Sequence, residues 1–196
     1  YSKKYIEIED FGNRTIFNFL EKNKKRKLSI FKRIITLLNK IQLIKDKKMI
    51  NFKNRNYILP SYSNKILFEE ANLFSLWYAP QKMSRNNQLK FKKDYEKVIK
   101  TLIKKISLKN NVFVHRDFHV SNLMEYKKKI AIIDNQDALY GNHAYDLASL
   151  IDDVRLRTSN SLKEKIFEYF LKQNKSINKK EFKNDFDLLS VLRNIK

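Results

Sequence analysis

The sequence predicts an α+β fold, mostly helical with a few short strands. Apolar residues recur at helical spacing in segment after segment of the 196-residue chain, whereas β-type patterns are confined to short runs near residues 5–12, 112–114, 123–126 and 130–133. There is no internal repeat and no low-complexity linker, and only two glycines interrupt the pattern. A chain of this length can bury a sizeable single core.

Taken in order, Tyr5-Ile6-Glu7-Ile8-Glu9-Asp10-Phe11-Gly12 alternates apolar and polar residues and ends at a glycine, the pattern of a strand with a sharp exit. Asn13 or Thr15 caps a short helix through Leu20, and residues 21–27 form a solvated basic turn. Leu28, Phe31, Ile34, Ile35, Leu38 and Ile41 define a core helix. Residues 46–63 are mixed and polar and read as a long surface loop. Asn64 caps the next helix, with Ile66, Leu67, Ala71, Phe74 and Trp77 on its apolar positions and Pro80 as its stop. A lone Trp at this spacing is expected in the core. Phe91, Tyr95, Val98, Ile99, Leu102, Ile103 and Ile106 give a long amphipathic helix, expected to pack behind the strand Val112-Phe113-Val114. Leu123-Met124-Glu125-Tyr126 and Ile130-Ala131-Ile132-Ile133 form a hairpin around the lysines at 127–129. A helix over 144–155 follows, and then two helices opened by capping boxes, Ser161 with Glu164 and Asn178 with Glu181.

Composition narrows the class. The chain has no cysteine, no secretory leader and no apolar run long enough to span a bilayer, so a cytoplasmic protein without a membrane partner is expected. The formal net charge of +21 would suit nucleic acid or another anionic partner. The lysines, however, are spread over every segment in a background rich in Lys, Asn, Ile, Phe and Tyr. This is the signature of an AT-rich genome, with attraction of anions such as ATP as the competing explanation. No nucleic-acid motif is present, and the aromatics fall on helix core faces.

The chemistry is concentrated in His115-Arg116-Asp117-Phe118-His119-Val120-Ser121-Asn122, followed after the hairpin by Asp134. Asp117 can accept a hydrogen bond from a substrate hydroxyl. Asn122 and Asp134 offer the hard oxygens that Mg²⁺ prefers when it binds ATP phosphates. The strand delivers the loop, and the hairpin returns Asp134 beside Asn122. Asp146, in the first turn of a helix, favours the positive helix end and can reach loop amides. His115 reads as a structural residue that packs the loop on the core.

This order of strand, His-Arg-Asp, Asn five residues on, and a later Asp resembles the aminoglycoside phosphotransferase and choline kinase family, the small-molecule relatives of protein kinases. The run Asp134-Asn135-Gln136-Asp137-Ala138, with Gly141 and Tyr145-Asp146-Leu147-Ala148-Ser149-Leu150, is similar to its bacterial branch of anomeric N-acetylmuramate and N-acetylglucosamine kinases. The resemblance implies a protein-kinase-like fold and an ATP- and Mg²⁺-dependent kinase acting on a hydroxyl of a small molecule, a cell-wall amino sugar first. The alternatives are an aminoglycoside or choline-type acceptor, or a catalytically silent nucleotide-binding relative. It implies Asp117 as catalytic residue and Asn122 and Asp134 as metal ligands. It places the backbone of Glu9 and Phe11 at the adenine edge, His119 and Glu70 near the acceptor, with Trp77 lining the pocket, and Asp146 as the residue fastening the catalytic loop; a His at position 119 can equally be a hydrogen-bond partner that stabilises the loop.

No Gly-rich phosphate loop and no strand Lys with a helix Glu partner precede Tyr5, although kinase-type transfer uses them to clamp the phosphates. The chain therefore reads as an internal fragment. Residues 1–12 would be the end of an N-lobe and its hinge. Residues 13–196 would be the helical C-lobe, with catalytic loop 115–122 and metal-binding segment 134–137, the N-lobe lying largely upstream of residue 1.

Overall fold

A computed structural model of the chain describes residues 7–50 and 53–196. Among these, seven α-helices and three two-stranded antiparallel sheets make a mixed α and β architecture. The core is built where the helical periodicity places it. Helix α1 (Ile16–Lys22) starts at Thr15, whose hydroxyl accepts a hydrogen bond from the Asn18 amide at 3.1 Å. Helix α2 (Lys27–Gln42) buries Ile30, Phe31, Ile34, Ile35 and Leu38 along one face. That face meets strand β3 (Asn110–Val114) and helix α6 (Asn160–Gln173). Helix α5 (Tyr145–Ile151) is buried along its whole length and packs against α6 and α7 (Lys179–Asn194). Phe170 of α6 and Phe182 of α7 stack at 5.2 Å between centroids, with the His143 ring edge-on to Phe170. No helix among the described residues is long and apolar enough to cross a membrane.

Several expectations are corrected. Residues 7–12 form no strand; Tyr5 and Ile6 lie outside the described residues. Alternation alone makes no strand without backbone pairing, and although Phe11 lies against Tyr126, residues 7–12 form no backbone ladder with other described residues. The exit at the glycine is nevertheless present: Gly12 sits at φ +74° and its amide donates to Asp10 Oδ1 at 2.7 Å.

The supposed loop over 46–63 contains an exposed hairpin, β1 (Lys48–Ile50) with β2 (Asn56–Ile58). Its last residues are not all on the surface. Leu59 and Tyr62 are buried, and the run from Pro60 to Tyr62 pairs along strand β6 (Leu139–Asn142) through Tyr62 N to Tyr140 O at 2.7 Å and Tyr140 N to Pro60 O at 2.8 Å.

Helix α3 (Asn64–Leu73) is capped by Ser63, not Asn64; the Ser63 hydroxyl accepts from the Ile66 amide at 3.2 Å. Pro80 does not end the helical path. The chain passes through a π turn (Phe74–Tyr78) into a 3₁₀ turn (Ala79–Gln81), whose first positions tolerate the missing proline N–H. The π turn inserts a residue, turning later side chains by about 100° relative to the helix before it. Phe74 and Tyr78 then stack together and Phe74 joins Phe91 and Tyr95, while Trp77 is 70% exposed instead of buried.

Helix α4 (Arg85–Ile103) lies against α3 and α7 rather than behind β3. Its Val98 is exposed. Helix α6 is capped by Ser159, two residues before the expected Ser161, whereas α7 starts on Asn178. The helix expected over 144–155 is the shorter α5.

Candidate active site

Strand β3 is central to the site because it is held on both sides of its tip. It pairs with β6 in the register Val112 to Gly141 and Val114 to Leu139. Gly141 permits this pairing beside Tyr62: a Cβ there would come within 2.9 Å of Val114 Cγ2 and 3.2 Å of the Tyr62 ring. At the other end, buried Asp185 of α7 accepts from the Ser107 and Leu108 amides at 2.9 and 2.8 Å and from Asn142 Nδ2 at 2.7 Å. Asp185 was not singled out by the sequence, where a lone Asp on an amphipathic helix carries no signal.

Beyond Val114 the loop is fixed by its own backbone. The His119 amide donates to the Asp117 carbonyl at 3.0 Å and the Asn122 amide to the His119 carbonyl at 2.9 Å. A 3₁₀ turn (Val120–Asn122) then feeds strand β4 (Leu123–Tyr126), which pairs with β5 (Lys129–Ile132). The hairpin closes through Lys127 and Lys128, both at positive φ, as a tight two-residue turn requires. Its register brings the Ile133 amide onto the Asn122 carbonyl at 3.1 Å. Asp134 follows at φ +67°, a conformation that Asp tolerates better than most residues.

Asn122 and Asp134 therefore meet. Asn122 Nδ2 donates to Asp134 Oδ2 at 3.3 Å and to the Asp117 carbonyl at 3.1 Å, which leaves its amide oxygen without a partner among the described residues. The second Asp134 oxygen accepts from Gln136 Nε2 at 2.8 Å. An amide oxygen and an exposed carboxylate form a hard-oxygen pair that fits Mg²⁺ with the rest of its shell supplied by phosphate and water. The half-buried Asp117 carboxylate accepts no hydrogen bond from any described residue, so it stays open to an incoming hydroxyl.

Fully buried Asp146, at the start of α5, accepts from the His115 amide at 2.8 Å and the Arg116 amide at 3.1 Å. Burial pushes its carboxyl up to about 7, against the pull of those two N–H donors towards the ionised form. His115 faces the Ile133 carbonyl through Nε2 at 3.0 Å, one residue before Asp134. Burial lowers its pKa, so the ring is the neutral Nε2–H tautomer and donates this bond. His119 is buried, its Nδ1 has no partner among the described residues, and burial followed by the Arg155 charge lowers its pKa.

Arg116, at φ +74°, forms an ion pair with Glu70 of α3 and donates to the Asp137 carbonyl at 3.3 Å. Glu70 also accepts from the Tyr62 hydroxyl, lies 3.5 Å from the Tyr145 hydroxyl and 3.4 Å from Lys196 Nζ. Tyr62 and Tyr145 were missed in the sequence. Tyr62 stood in a stretch read as loop, and a tyrosine opening a helix has no signal of its own. Glu9 is exposed, and Phe11 packs edge-on against Tyr126 at 5.1 Å, at the turn end of the β4–β5 hairpin. Their backbone groups make no hydrogen bond with other described residues.

The chain belongs to the phosphotransferase enzyme family, whose family model matches residues 21–177, and with it to the protein-kinase-like fold. Among curated proteins it is similar to the N-acetylmuramate/N-acetylglucosamine kinase of Neisseria meningitidis serogroup B, 36% identical over 101 residues, which are 52% of this chain and 30% of that protein. It is also similar to the protein of the same description from Pseudomonas putida, 34% identical over 49% of this chain and 28% of the relative. A third such protein, from Pseudomonas aeruginosa, is 30% identical over 97 residues, 50% of this chain and 29% of the relative. The matched stretch thus spans less than a third of the length of each relative.

Proposed function

We propose that the chain carries the catalytic loop and cation-binding residues of an ATP-dependent kinase whose acceptor is a hydroxyl of a cell-wall amino sugar, N-acetylmuramate or N-acetylglucosamine. The observation that carries the reading is that Asn122 meets both Asp134 and the main-chain carbonyl of Asp117, whose carboxylate accepts no hydrogen bond from any described residue. The names of the three relatives supply the acceptor class.

In this reading Asn122 and Asp134 hold Mg²⁺, which when bound neutralises phosphate charge. The acceptor hydroxyl hydrogen-bonds to Asp117, which takes its proton as the oxygen attacks the γ-phosphorus in line. The bond from that phosphorus to the β–γ bridging oxygen breaks, and ADP departs with the bond pair. Acceleration comes mostly from positioning and charge neutralisation, since the transfer needs little covalent help from the protein. The free backbone groups of Glu9 and Phe11 take the adenine edge, His119 lies on the acceptor side, and His115 and Asp146 hold the loop in shape. Residues 1–12 serve as the end of an N-lobe and its hinge, and residues 13–196 as the helical C-lobe, of a protein that works in the cytoplasm, where ATP is supplied.

The test is ADP release by the full-length protein from Mg²⁺-ATP with N-acetylmuramate, N-acetylglucosamine, an aminoglycoside and choline as acceptors. Release dependent on either amino sugar is expected. Release with choline or the aminoglycoside alone would keep the chemistry and replace the acceptor; no release with any of them would remove the kinase reading in favour of a silent nucleotide-binding relative.

A further inference from the structure

Glu70 shares one buried cluster with the residue next to the catalytic aspartate, and the occupancy of its oxygens decides what it does. Oε1 takes the Arg116 guanidinium and lies 3.4 Å from Lys196 Nζ; Oε2 takes the Tyr62 hydroxyl and lies 3.5 Å from that of Tyr145. An ionised carboxylate has about four acceptor sites, and four donors surround this one, so little capacity is left for a sugar hydroxyl. Its side chain is 12% exposed. Burial would raise its pKa, but the hydrogen bonds from Tyr62 and Arg116 outweigh burial and hold it below its ordinary range. Burial, together with the neighbouring Glu70 charge, raises both phenols, which stay protonated and donate.

Arg116 is held at both ends. Its amide is bound by Asp146, and its guanidinium by Glu70, with the Tyr62 ring 5.8 Å away. It stands at φ +74°, where a long side chain is strained unless its surroundings over-determine the conformation. The next residue is Asp117. Whatever fixes the Arg116 backbone therefore fixes the direction in which Asp117 leaves it.

We infer that Glu70 is a positioning residue for phosphoryl transfer: by clamping the Arg116 side chain it holds the strained backbone that aims Asp117, and it does not bind the acceptor. Four segments meet at this clamp: the run ending in Tyr62, α3 with Glu70, α5 with Tyr145, and Lys196, two residues beyond the end of α7. The loop geometry thereby depends on how the helices pack, without any added ligand or modification. The inference rests on the kinase reading above.

The experiment compares wild type, Glu70→Gln, Arg116→Gln and the double variant of the full-length protein, measuring kcat, KM for amino sugar and for ATP, and Mg²⁺-ATP binding by calorimetry. Glu70→Gln is expected to lower kcat by about tenfold to a hundredfold, as misplacement of a reacting group by about 1 Å does. Both KM values should stay within about twofold, and calorimetry should show Mg²⁺-ATP binding at the wild-type stoichiometry, which a partly unfolded preparation would not give. Because the two residues act as one unit, the double variant should be no slower than the slower single one. If Glu70→Gln does not fold, Tyr62→Phe, which removes one bond to the same carboxylate, should show the same selective fall in kcat on a smaller scale. A raised acceptor KM at unchanged kcat, or a kcat within twofold of wild type, overturns the inference while leaving the kinase reading intact. A wild type that transfers phosphate to no acceptor overturns both.

Discussion

Asn122 and Asp134 stand twelve residues apart in sequence and 3.3 Å apart in space, joined side chain to side chain across the base of the β4–β5 hairpin. The hairpin creates this proximity: its register pairs Leu123 with Ile132, which sets Ile133 opposite Asn122 and carries Asp134, the next residue, to the Asn122 side chain. A cation bound here would replace the direct contact with two oxygen ligands.

Replacing Asp134 by Asn keeps a residue that tolerates φ +67° and removes the charge. The fold is expected to persist. Mg²⁺-dependent ATP binding should weaken by at least about tenfold, the loss that even a supporting contact at a metal site produces. Titration calorimetry with and without Mg²⁺ measures it, and unchanged Mg²⁺ dependence would remove Asp134 as a ligand.

Asp146→Asn exchanges one acceptor oxygen for a donor and leaves either the His115 or the Arg116 amide unpaired in the interior. A buried orphan donor costs about 1–3 kcal/mol, so the denaturation midpoint should fall accordingly. Hydrogen exchange of those two amides should accelerate relative to the amides of β3. Equal exchange in both proteins would show that the loop is held by something else.

Much of this was legible in the sequence, for a local reason. The helices of the core announce themselves by periodicity, and the spacing from Asp117 through Asn122 to Asp134 is set by one loop and one hairpin. What was not legible depends on distant contacts. Segment 59–62 has no pattern of its own, yet β6 captures it and buries Tyr62 against Glu70. Strand β6 itself, four residues with a glycine inside, is recognisable only once β3 is beside it. Trp77 was misplaced because a π turn changes the phase of a helix, and its neighbouring cause, the Tyr95 hydroxyl on the Ala71 carbonyl at 2.7 Å, comes from another helix.

Gly141→Ala tests the packing of that hidden strand. The added methyl group would press on Val114 and Tyr62 at 2.9 and 3.2 Å. Overpacking of this kind costs about 1–3 kcal/mol, and thermal unfolding should shift downwards to match. An unchanged melting temperature would mean that β3 and β6 separate at little cost.

The three histidines predict acid sensitivity. Burial, followed by the Lys45 charge, lowers His143 to about 4, and burial also lowers His115 and His119. At these histidines the unfolded chain binds more protons than the folded one between about pH 6.5 and 4, so their stabilisation is complete above the ordinary histidine value and is lost as pH falls towards the folded one, whereas Asp146, raised by burial to about 7, contributes the opposite slope over the same window. For His143 alone the loss reaches about 3 kcal/mol. Denaturant unfolding across this window should show it, and His143→Leu should flatten the profile; a slope unaltered by that substitution would assign the acid effect elsewhere.

The most direct test of the account is Asp117→Asn in the full-length protein, with turnover and Mg²⁺-ATP binding measured on the same preparation. The substitution preserves size and leaves Asn122 and Asp134 in place. Turnover with the preferred acceptor should fall by about a hundredfold to ten-thousandfold, the usual contribution of a positioned general base, while ATP affinity changes little. Near-normal turnover would contradict the assignment of Asp117 and, with it, the mechanism built on this loop.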